Sequence, residues 1–513
     1  MAKNKINIPK EIIDIIGKLS KANFQAYLVG GCVRDLLLAL NEVEGIGREP
    51  NDWDITTNAK PEEIQKIFAA FAGATAAKPA TVYENEFGTV AVKTSSADER
   101  LKIVEITTFR LEGKYTDKRH PDEIKFAQTI EEDLARRDFT VNSIAIELTN
   151  YKLQTTNYKL VDPFNGQDDI KNKIIRAVGN PEERFSEDAL RLMRAVRFAT
   201  ELDFSIEEKT GEAVKKQAGL LEMIAKERIR DEFIKILMAE KAAMGIQMLE
   251  DFGLLRYIAP ELRDGIGVGQ NKHHIYSVWE HNLRALDYAA KKKYSLGIRL
   301  AALLHDIGKP ATKAGEGSDC TFYNHEIVSA KIAVRILNRL HFPKDLAEKI
   351  IHLVRYHLFY YNVGEVSEAG VRRFLARVGP ENVDDFIKIR EADRIGSGVP
   401  KAVPYKLRHL LFMIEKVKQD PISPKMLKVN GEDAMKILNI QPGPRVGWIL
   451  SVLLDEVIEN PEKNTKDNLE FRIKNLGKLS DAELEKLSQS SRKKKEEFES
   501  GIEAEMKRKY YVK

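Results

Sequence analysis

Residues 26–35 read AYLVGGCVRD and residues 51–57 read NDWDITT, so each of two short apolar runs adjoins a polar cluster. The first run predicts a strand over 26–29 that ends at Gly30 and Gly31, with a helix after it. A glycine pair between a strand and a helix lets backbone N–H groups approach a phosphate at the helix N-terminus. The stretch predicts a phosphate-binding turn, with an ordinary turn as the alternative.

Asp52 and Asp54 lie two residues apart, where the second run predicts a strand over 53–56. On a strand, such a spacing puts both carboxylates on one face. Adjacent carboxylates repel each other unless a cation lies between them, and Mg²⁺ prefers oxygen ligands. The pair predicts a magnesium site that activates a hydroxyl and neutralises a pyrophosphate leaving group, with Glu105 as a third carboxylate; a solvated turn is the alternative.

An apolar run over 141–146 predicts a strand; Arg136, Arg137 and Asp138 precede it, and Asn142 lies near its start. Two arginines suit a triphosphate, and an aspartate and an asparagine can bind a ribose hydroxyl. The alternative is a surface cluster of ion pairs.

A predicted helix carries Asp188, Arg191, Arg194 and Arg197. Residues three apart on a helix are neighbours, so Asp188 and Arg191 offer the acceptor and donor groups that reading a base edge requires. An ordinary ion pair explains the same spacing. The three arginines form a stripe that could face phosphates.

The second candidate site consists of imidazole and carboxylate side chains in the helical part of the chain. They are His281, His305, Asp306, His325, His357 and Asp393. Such ligands suit Mn²⁺, Fe²⁺, Ni²⁺, Co²⁺ or Zn²⁺. Each histidine alone is more often a surface or core residue, but six ligands in this order favour a metal site.

Composition excludes several classes of protein. The length of 513 residues predicts three to four domains. The composition, 43% hydrophobic and 31% charged, is typical of a globular protein. Cys32 and Cys320 are too few for a disulfide scaffold or a four-cysteine zinc site, and they predict a reducing cytoplasm. No apolar run is long enough to span a membrane. The net charge of +4 indicates no partner by itself.

Taken in order, the motifs of the first part resemble those of the class II tRNA nucleotidyltransferases, the bacterial CCA-adding enzymes and their poly(A) polymerase relatives. The resembling stretches are Leu28–Leu38, Asn51–Thr57, Val104–Arg110, Asp133–Ile146, Asp162–Val178, Arg184–Phe198 and Glu227–Glu232. One departure is Ser143, where the family commonly has alanine.

This resemblance implies that Asp52 and Asp54 bind the catalytic Mg²⁺ and that Asp188 and Arg191 pair with the base of CTP or ATP. It also implies the 3′ end of tRNA as the partner, with protein replacing a nucleic-acid template. The candidate nucleotide-binding residues are Gly30, Gly31, Arg34, Arg136, Arg137, Asp138, Asn142, Asp188, Arg191, Arg194 and Arg197.

The second site resembles an HD-type metal-dependent phosphohydrolase domain. His281, His305, Asp306 and Asp393 match its core, and His325 and His357 match the extra ligands of two-metal versions; His273, His274 and His352 fit less well and are left out. The resemblance implies a second divalent metal such as Ni²⁺, Mn²⁺ or Co²⁺. It also implies 2′,3′-cyclic phosphodiesterase, 2′-nucleotidase and phosphatase activity, with Lys309 as the candidate for steadying the phosphate.

The fold implied is α+β, with a polymerase-β-like nucleotidyltransferase head followed by an all-α neck, body, HD domain and tail. The expected segments are the head at 1–150, the neck and body at 151–270, the HD domain at 271–400, a tRNA-contacting helical domain at 401–480 and a charged extension at 481–513. A mobile loop is expected over 111–124. The sequence leaves the oligomeric state open.

Three alternatives remain. An A-adding enzyme or a poly(A) polymerase would give a narrower product. An alarmone synthetase-hydrolase joins the same two domains, but its HD domain comes first. A non-catalytic RNA-binding scaffold would have no use for complete acidic clusters at both sites, because adjacent carboxylates are costly to keep.

Overall fold

The computed structural model describes residues 6–40, 49–71, 81–83, 88–112, 124–149, 158–271, 275–359, 361–363, 366–418 and 420–490. The centre of the expected 111–124 loop, His273, His274 and residues 491–513 of the extension lie outside the described residues. The chain divides into two compact units, Met1–Asp264 with Ala290–Leu296 and Arg335–Pro343, and Gly265–Ala289 with Gly297–Val334 and Lys344–Lys513. The finer division into five segments stays a prediction.

A seven-stranded sheet organises the first unit, in the order β3-β4-β5-β2-β1-β8-β9, and β6 and β7 pair separately. The strands are β1 (Ala26–Val29), β2 (Asp54–Thr57), β3 (Thr81–Tyr83), β4 (Thr89–Lys93), β5 (Ile103–Thr108), β6 (Arg110–Glu112), β7 (Ile124–Phe126), β8 (Ala145–Leu148) and β9 (Tyr158–Val161). Val29 at the end of β1 lies opposite Asp54, and Asp54 lies beside Glu105 of the parallel strand β5. The register therefore gathers polar residues at one end of β1 and β2.

Helices surround this sheet and continue the unit. They are α1 (Lys10–Lys21), α2 (Gly31–Leu40), α3 (Pro61–Phe71), α4 (Ile130–Ala135), α5 (Gly166–Asn172), α6 (Pro181–Glu187), α7 (Leu190–Leu202), α8 (Glu208–Gln217), α9 (Lys226–Met238), α10 (Ala242–Asp251) and α11 (Leu255–Ile258). Two short strands, β10 (Ile174–Ile175) and β11 (Ser205–Ile206), pair in parallel. The α+β class expected for this part is confirmed.

The strand expected over 141–146 is wrong in its first half. Thr140–Asn142 forms a 3₁₀ turn, and β8 begins only at Ala145. The Asn142 N–H donates to the carbonyl of Phe139 and the Ser143 N–H to that of Thr140, both at 2.9 Å, so these residues bond locally instead of joining the sheet.

The rest of the described chain is nearly all helical. Its elements are α12 (Val278–Lys291), α13 (Leu296–Leu304), α14 (Lys309–Thr312), β12 (Lys313–Ala314), β13 (Thr321–Phe322), α15 (His325–Arg339), α16 (Lys344–Arg355), α17 (Glu368–Val378), α18 (Val383–Gly396), α19 (Tyr405–Val417), α20 (Gly431–Leu438), α21 (Pro444–Glu459) and α22 (Lys466–Leu476). Helices α20, α21 and α22 enclose an apolar core that includes Ile449, Leu453 and Ile473, and a further helical stretch over 481–490 adds Leu484 to it. Within the described ranges, no helix is long and apolar enough to cross a membrane.

Candidate functional site

The first site lies where β1 ends and β2 begins. Asp54 is the first residue of β2, whereas Asp52 lies in the bend before it, so the expectation of two carboxylates on one strand is half right. Trp53 between them is buried, and residues on either side of an inward side chain point outward. Glu105 is in register with Asp54. The structure therefore brings the predicted carboxylates to one region of the surface.

The charge of Asp54 is disfavoured by its surroundings. Burial raises the pKa of Asp54, Arg137 opposes the rise and the charge of Asp52 adds to it. A cation between the two carboxylates would reverse this effect, so the donor set fits a divalent ion with oxygen ligands.

A glycine is required at the turn after β1. Gly30 has φ of +78°, and a Cβ built there would lie 3.1 Å from Arg137 Nη1 and 3.4 Å from Asp54 Oδ2. Glycine therefore allows the guanidinium of Arg137 to lie over the turn beside Asp54. Asp133 forms ion pairs with both arginines: its Oδ1 lies 2.9 Å from Arg136 Nε, and its Oδ2 lies 3.4 Å from Arg137 Nη2.

Asp133 was not predicted as a site residue. It is fully buried, and although burial opposes its charge, Arg136 and Arg137 hold its pKa below the usual range. Its spacing of three and four residues from the arginines was the available signal.

Asp138 and Asn142 form a network with two predicted arginines. Asn142 Oδ1 accepts from Arg34 at 2.8 Å, its Nδ2 lies 3.4 Å from Asp138, and Asp138 accepts from Arg194 Nε at 2.7 Å. Burial opposes the charge of Asp138, but Arg194 and Arg191 lower its pKa to about 2. This carboxylate is therefore a permanent acceptor.

The helix expected to carry both Asp188 and Arg191 is interrupted. Asp188 has extended backbone angles (φ −133°, ψ 104°) after α6, and α7 begins at Leu190. Its Oδ2 accepts from Arg228 at 3.0 Å, whereas Arg191 Nη1 lies 2.6 Å from Glu187 Oε2. The acceptor and the donor are thus held by different partners.

The predicted arginine stripe is paired with carboxylates along its length. Arg197 Nε lies 2.9 Å from Glu232 Oε2, so Glu232 is a third acid beside Glu187 and Asp138, which pair with Arg191 and Arg194. Phe198 lies among the guanidinium groups, with Arg197 at 4.1 Å and Arg194 at 5.1 Å from its ring centroid. Phe198 was not predicted as a site residue: its spacing of four from Arg194 was an available signal, but its contact with Arg34, 5.3 Å from the ring centroid, is tertiary and leaves none.

The second site gathers all six predicted ligands in the second unit. Within the described part of the chain, two groups of metal-ligating atoms lie within 4.8 Å of one another: His281, His305, Asp306 and Asp393, and Asp306, His325 and His357. Asp306 belongs to both groups. Its Oδ2 lies 3.0 Å from His281 Nε2, and its Oδ1 lies 3.2 Å from His325 Nε2. One carboxylate can therefore bridge two cations.

Three ligand imidazoles are oriented in the same way. The Nδ1 atoms of His305, His325 and His357 lie 2.7–2.8 Å from the carbonyl of the third residue before each of them. A carbonyl can only accept, so Nδ1 carries the proton and Nε2 is left to bind a metal.

The charges of the second site also fit a cation. Burial lowers the pKa of His305, but Asp306 and Asp393 raise it to about 10, so the cluster attracts positive charge. Lys309 forms an ion pair with one of these carboxylates: its Nζ lies 2.6 Å from Asp306 Oδ2, and it donates to Gln270 Oε1 at 2.7 Å. Gln270 was missed, because nothing in the sequence relates it to a residue 39 positions later.

Comparisons with known proteins follow the same division. The model of the Poly A polymerase head domain family matches residues 26–176, that of the "Probable RNA and SrmB- binding site of polymerase A" matches 203–266, and that of the HD domain matches 278–394. A CCA-adding enzyme of Geobacillus sp. (strain WCH70) is 32% identical over 90% of this chain and 95% of its own length.

Two further comparisons agree. A CCA-adding enzyme of Ligilactobacillus salivarius (strain UCC118) is 44% identical over 49% of this chain, and the match spans 55% of that enzyme. The crystal structure of the Bacillus stearothermophilus CCA-adding enzyme in complex with CTP is 28% identical, with a TM-score of 0.65, over 91% of this chain and 98% of that one.

Proposed function

The chain belongs to the family of the CCA-adding tRNA nucleotidyltransferases, and we propose that it adds CCA to the 3′ ends of tRNA from CTP and ATP. The observation that carries the proposal is the register of β1, β2 and β5. It pairs Asp54 with Glu105 on neighbouring strands, and Asp54 Oδ2 and Arg137 Nη1 both lie against the turn at Gly30. Ligands for a cation and a donor for phosphates are then adjacent, as nucleotidyl transfer requires.

The roles of the side chains follow from their contacts. Asp52 and Asp54, with Glu105 beside them, would hold Mg²⁺, which supplies positive charge to the attacking hydroxyl and to the pyrophosphate. Arg137, steadied by Asp133, binds the triphosphate. The tRNA 3′ hydroxyl attacks the α-phosphate, and the bond from that phosphate to the pyrophosphate breaks.

Nucleotide selection is assigned to Asp188 and Arg191. One offers an acceptor and the other a donor, as the edges of cytosine and adenine require. Arg228 holds the carboxylate and Glu187 holds the guanidinium, so each group has its own support. Asp138 and Asn142 are assigned to the ribose hydroxyls.

A second activity, phosphohydrolysis of 2′,3′-cyclic phosphates and 2′-phosphates, is proposed for the second site. We call this site the HD cluster; it consists of His281, His305, Asp306, His325, His357 and Asp393. Its Nε2 and carboxylate donors favour Ni²⁺, Mn²⁺ or Co²⁺ over Mg²⁺. These ions activate water when bound. Lys309, which is paired with Asp306, would balance part of the negative charge of that carboxylate. We place both reactions in the cytoplasm, in keeping with the two free, buried cysteines, Cys32 and Cys320.

The decisive experiment uses tRNA that lacks its terminal CCA. The protein is incubated with CTP alone, ATP alone or both, and the 3′ ends are sequenced. We expect CC with CTP and CCA with both nucleotides. Addition of A only to tRNA that already ends in CC would show an A-adding enzyme, and long adenosine tails would show a poly(A) polymerase.

A further inference from the structure

Two segments that follow ligands of the HD cluster lack acidic residues. Asp393 is followed by residues 394–414, which contain four lysines and arginines and no aspartate or glutamate. His357 is followed by residues 358–363, which are aromatic and apolar apart from Asn362. The chain leaving an anionic metal cluster is thus cationic and aromatic, which is suited to an anionic ligand that carries rings.

Contacts bring these two segments together. The Tyr361 hydroxyl is hydrogen-bonded to His409 Nδ1, and Lys406 Nζ donates to Asn362 Oδ1 at 2.5 Å. Tyr361 is four residues from the ligand His357, so it lies within about 14 Å of that ligand. The two segments therefore form one surface next to the metal cluster.

An aromatic row runs along this surface, and we define it as Tyr361, Tyr405, His409 and Phe412. The centroid of the His409 ring lies 5.8 Å from that of Tyr361 and 6.0 Å from those of Tyr405 and Phe412. Tyr405 is 61% exposed and Phe412 is 63% exposed.

The opposite face of α19 is buried through Leu407, Leu410 and Ile414. The row therefore faces solvent because of how the helix packs. Rings at the surface are spaced at positions i, i+4 and i+7, which gives a ladder along one side of the helix.

Charge indicates what the row binds. Lys406 and Arg408 lie beside it, and neither forms an ion pair with a carboxylate in the part of the chain that the structure describes. Rings on which bases stack, interleaved with cations that follow phosphates, are the usual means of binding a single strand. Cations that are not paired with carboxylates favour a polyanion over a protein as the partner of this face.

We propose that the aromatic row binds the unpaired 3′ end of an RNA, and that the HD cluster acts on a phosphate at that end rather than on a free nucleotide. This inference rests on the phosphohydrolase function proposed above. At a 2′,3′-cyclic end, a water oxygen bonds to phosphorus, the bond from phosphorus to one ribose oxygen breaks, and that oxygen takes up the proton of the water. The product is a phosphomonoester.

The test compares two probes with the full-length protein and Ni²⁺: a short single-stranded RNA that ends in a 2′,3′-cyclic phosphate, and 2′,3′-cyclic AMP. We expect a higher kcat/KM on the RNA. The double variant Tyr405→Ala/Phe412→Ala should lower the ratio of kcat/KM on RNA to that on cyclic AMP by about 5- to 150-fold per stacked base lost. The matched control is Phe471→Ala, an exposed phenylalanine of α22. An unchanged ratio would overturn the proposal.

A binding measurement separates this inference from the proposed activity. Fluorescence anisotropy of the same RNA is followed against salt for the wild type and Lys406→Gln/Arg408→Gln. Loss of two phosphate contacts should reduce the slope of log affinity against log salt by about 1.4. If no metal gives hydrolysis of either probe but the slope falls, the phosphohydrolase function fails and the RNA surface stands. If the slope and the RNA affinity stay unchanged, the row does not bind RNA, and a protein partner becomes the better explanation.

Discussion

Asp54 is a half-buried carboxylate whose surroundings disfavour its charge. Burial and Asp52 raise its pKa, and Arg137 only partly compensates. A carboxylate whose charge is disfavoured contributes little to the free energy of unfolding, and its position indicates a role in binding. Asp138, in contrast, is stabilised as an anion by Arg194 and Arg191, so its charge contributes to the stability of the head.

Replacing Asp54 with asparagine should therefore reduce nucleotide addition without harming the fold. We expect kcat to fall by at least about 100-fold, since the cation that stabilises the transferring phosphate would lose a ligand. Tm should be unchanged or slightly higher, because a partly buried charge that its surroundings disfavour is removed. Incorporation of labelled ATP into tRNA and thermal unfolding measure the two effects. Asp14→Asn, at an exposed position of α1, is the control; addition at the normal rate by Asp54→Asn would contradict the assignment.

Asp138 should show its contribution in the pH dependence of stability. Its folded pKa, about 2, lies below the unfolded value of about 3.9, so it stabilises the head above pH 4, and this contribution disappears as the pH falls toward 2. Asp138→Asn should cost about 2 kcal/mol at pH 7 and progressively less below pH 4. Thermal unfolding at pH 7 and pH 3 tests this, with the exposed Asp168→Asn as the control. A difference that is the same at both pH values would refute it.

The junction of α6 and α7 is the element that separates Asp188 and Arg191, the two groups proposed to read the base. α6 ends at Glu187, and Asp188 leaves the helical path so that its carboxylate meets Arg228 of α9. Arg191, in the first turn of α7, is 7% exposed and also donates to the carbonyl of Arg136 at 3.2 Å. The junction thus connects Arg136, proposed to bind the triphosphate, with Arg191, proposed to read the base.

Arg191→Ala should lower discrimination among CTP, ATP, UTP and GTP as well as the rate. Loss of one good bidentate contact corresponds to about 5- to 150-fold in selectivity. The measurement is kcat/KM for each nucleotide on tRNA that lacks CCA, and Arg256→Ala, exposed on α11, is the control. A loss of stability with an unchanged order of nucleotides would assign Arg191 to structure alone.

How much of the site the sequence predicts depends on how local the contacts are. The glycine turn, Asp54 and the HD ligands are predictable, because each belongs to a short motif with a fixed chemical requirement. The break at Asp188 is not, since its partner Arg228 is 40 residues away and outweighs the local helical tendency. Gln270 contacts Lys309, 39 residues later, and Phe198 contacts the distant Arg34, and neither tertiary contact leaves a periodic signal in the sequence.

At the scale of the whole molecule, the two sites belong to different compact units. Asp54, Arg137 and Asp188 lie in Met1–Asp264, and the six HD ligands come from three segments of the second unit. Groups in separate units share no ligand, so the two activities should respond to substitution independently.

His305→Ala/Asp306→Ala should therefore abolish hydrolysis of 2′,3′-cyclic nucleotides and 2′-phosphates but spare CCA addition. Ni²⁺, Mn²⁺ or Co²⁺ should raise hydrolysis by the wild type, and EDTA should remove it. Both activities are assayed on the same preparations, with His341→Ala, exposed and outside the cluster, as the control. A folded variant that loses CCA addition would show that the sites are coupled.

The carbonyl bonds to His305, His325 and His357 have a consequence for how the protein acquires its metals. Backbone carbonyls of their own segments hold these three rings in orientation. We therefore expect the site to fold without a bound metal ion. A preformed pocket takes up whichever suitable ion is most abundant around it. The ion found in a purified sample will then reflect the growth medium, and preparations from nickel-rich and manganese-rich cultures should differ in content while sharing one fold.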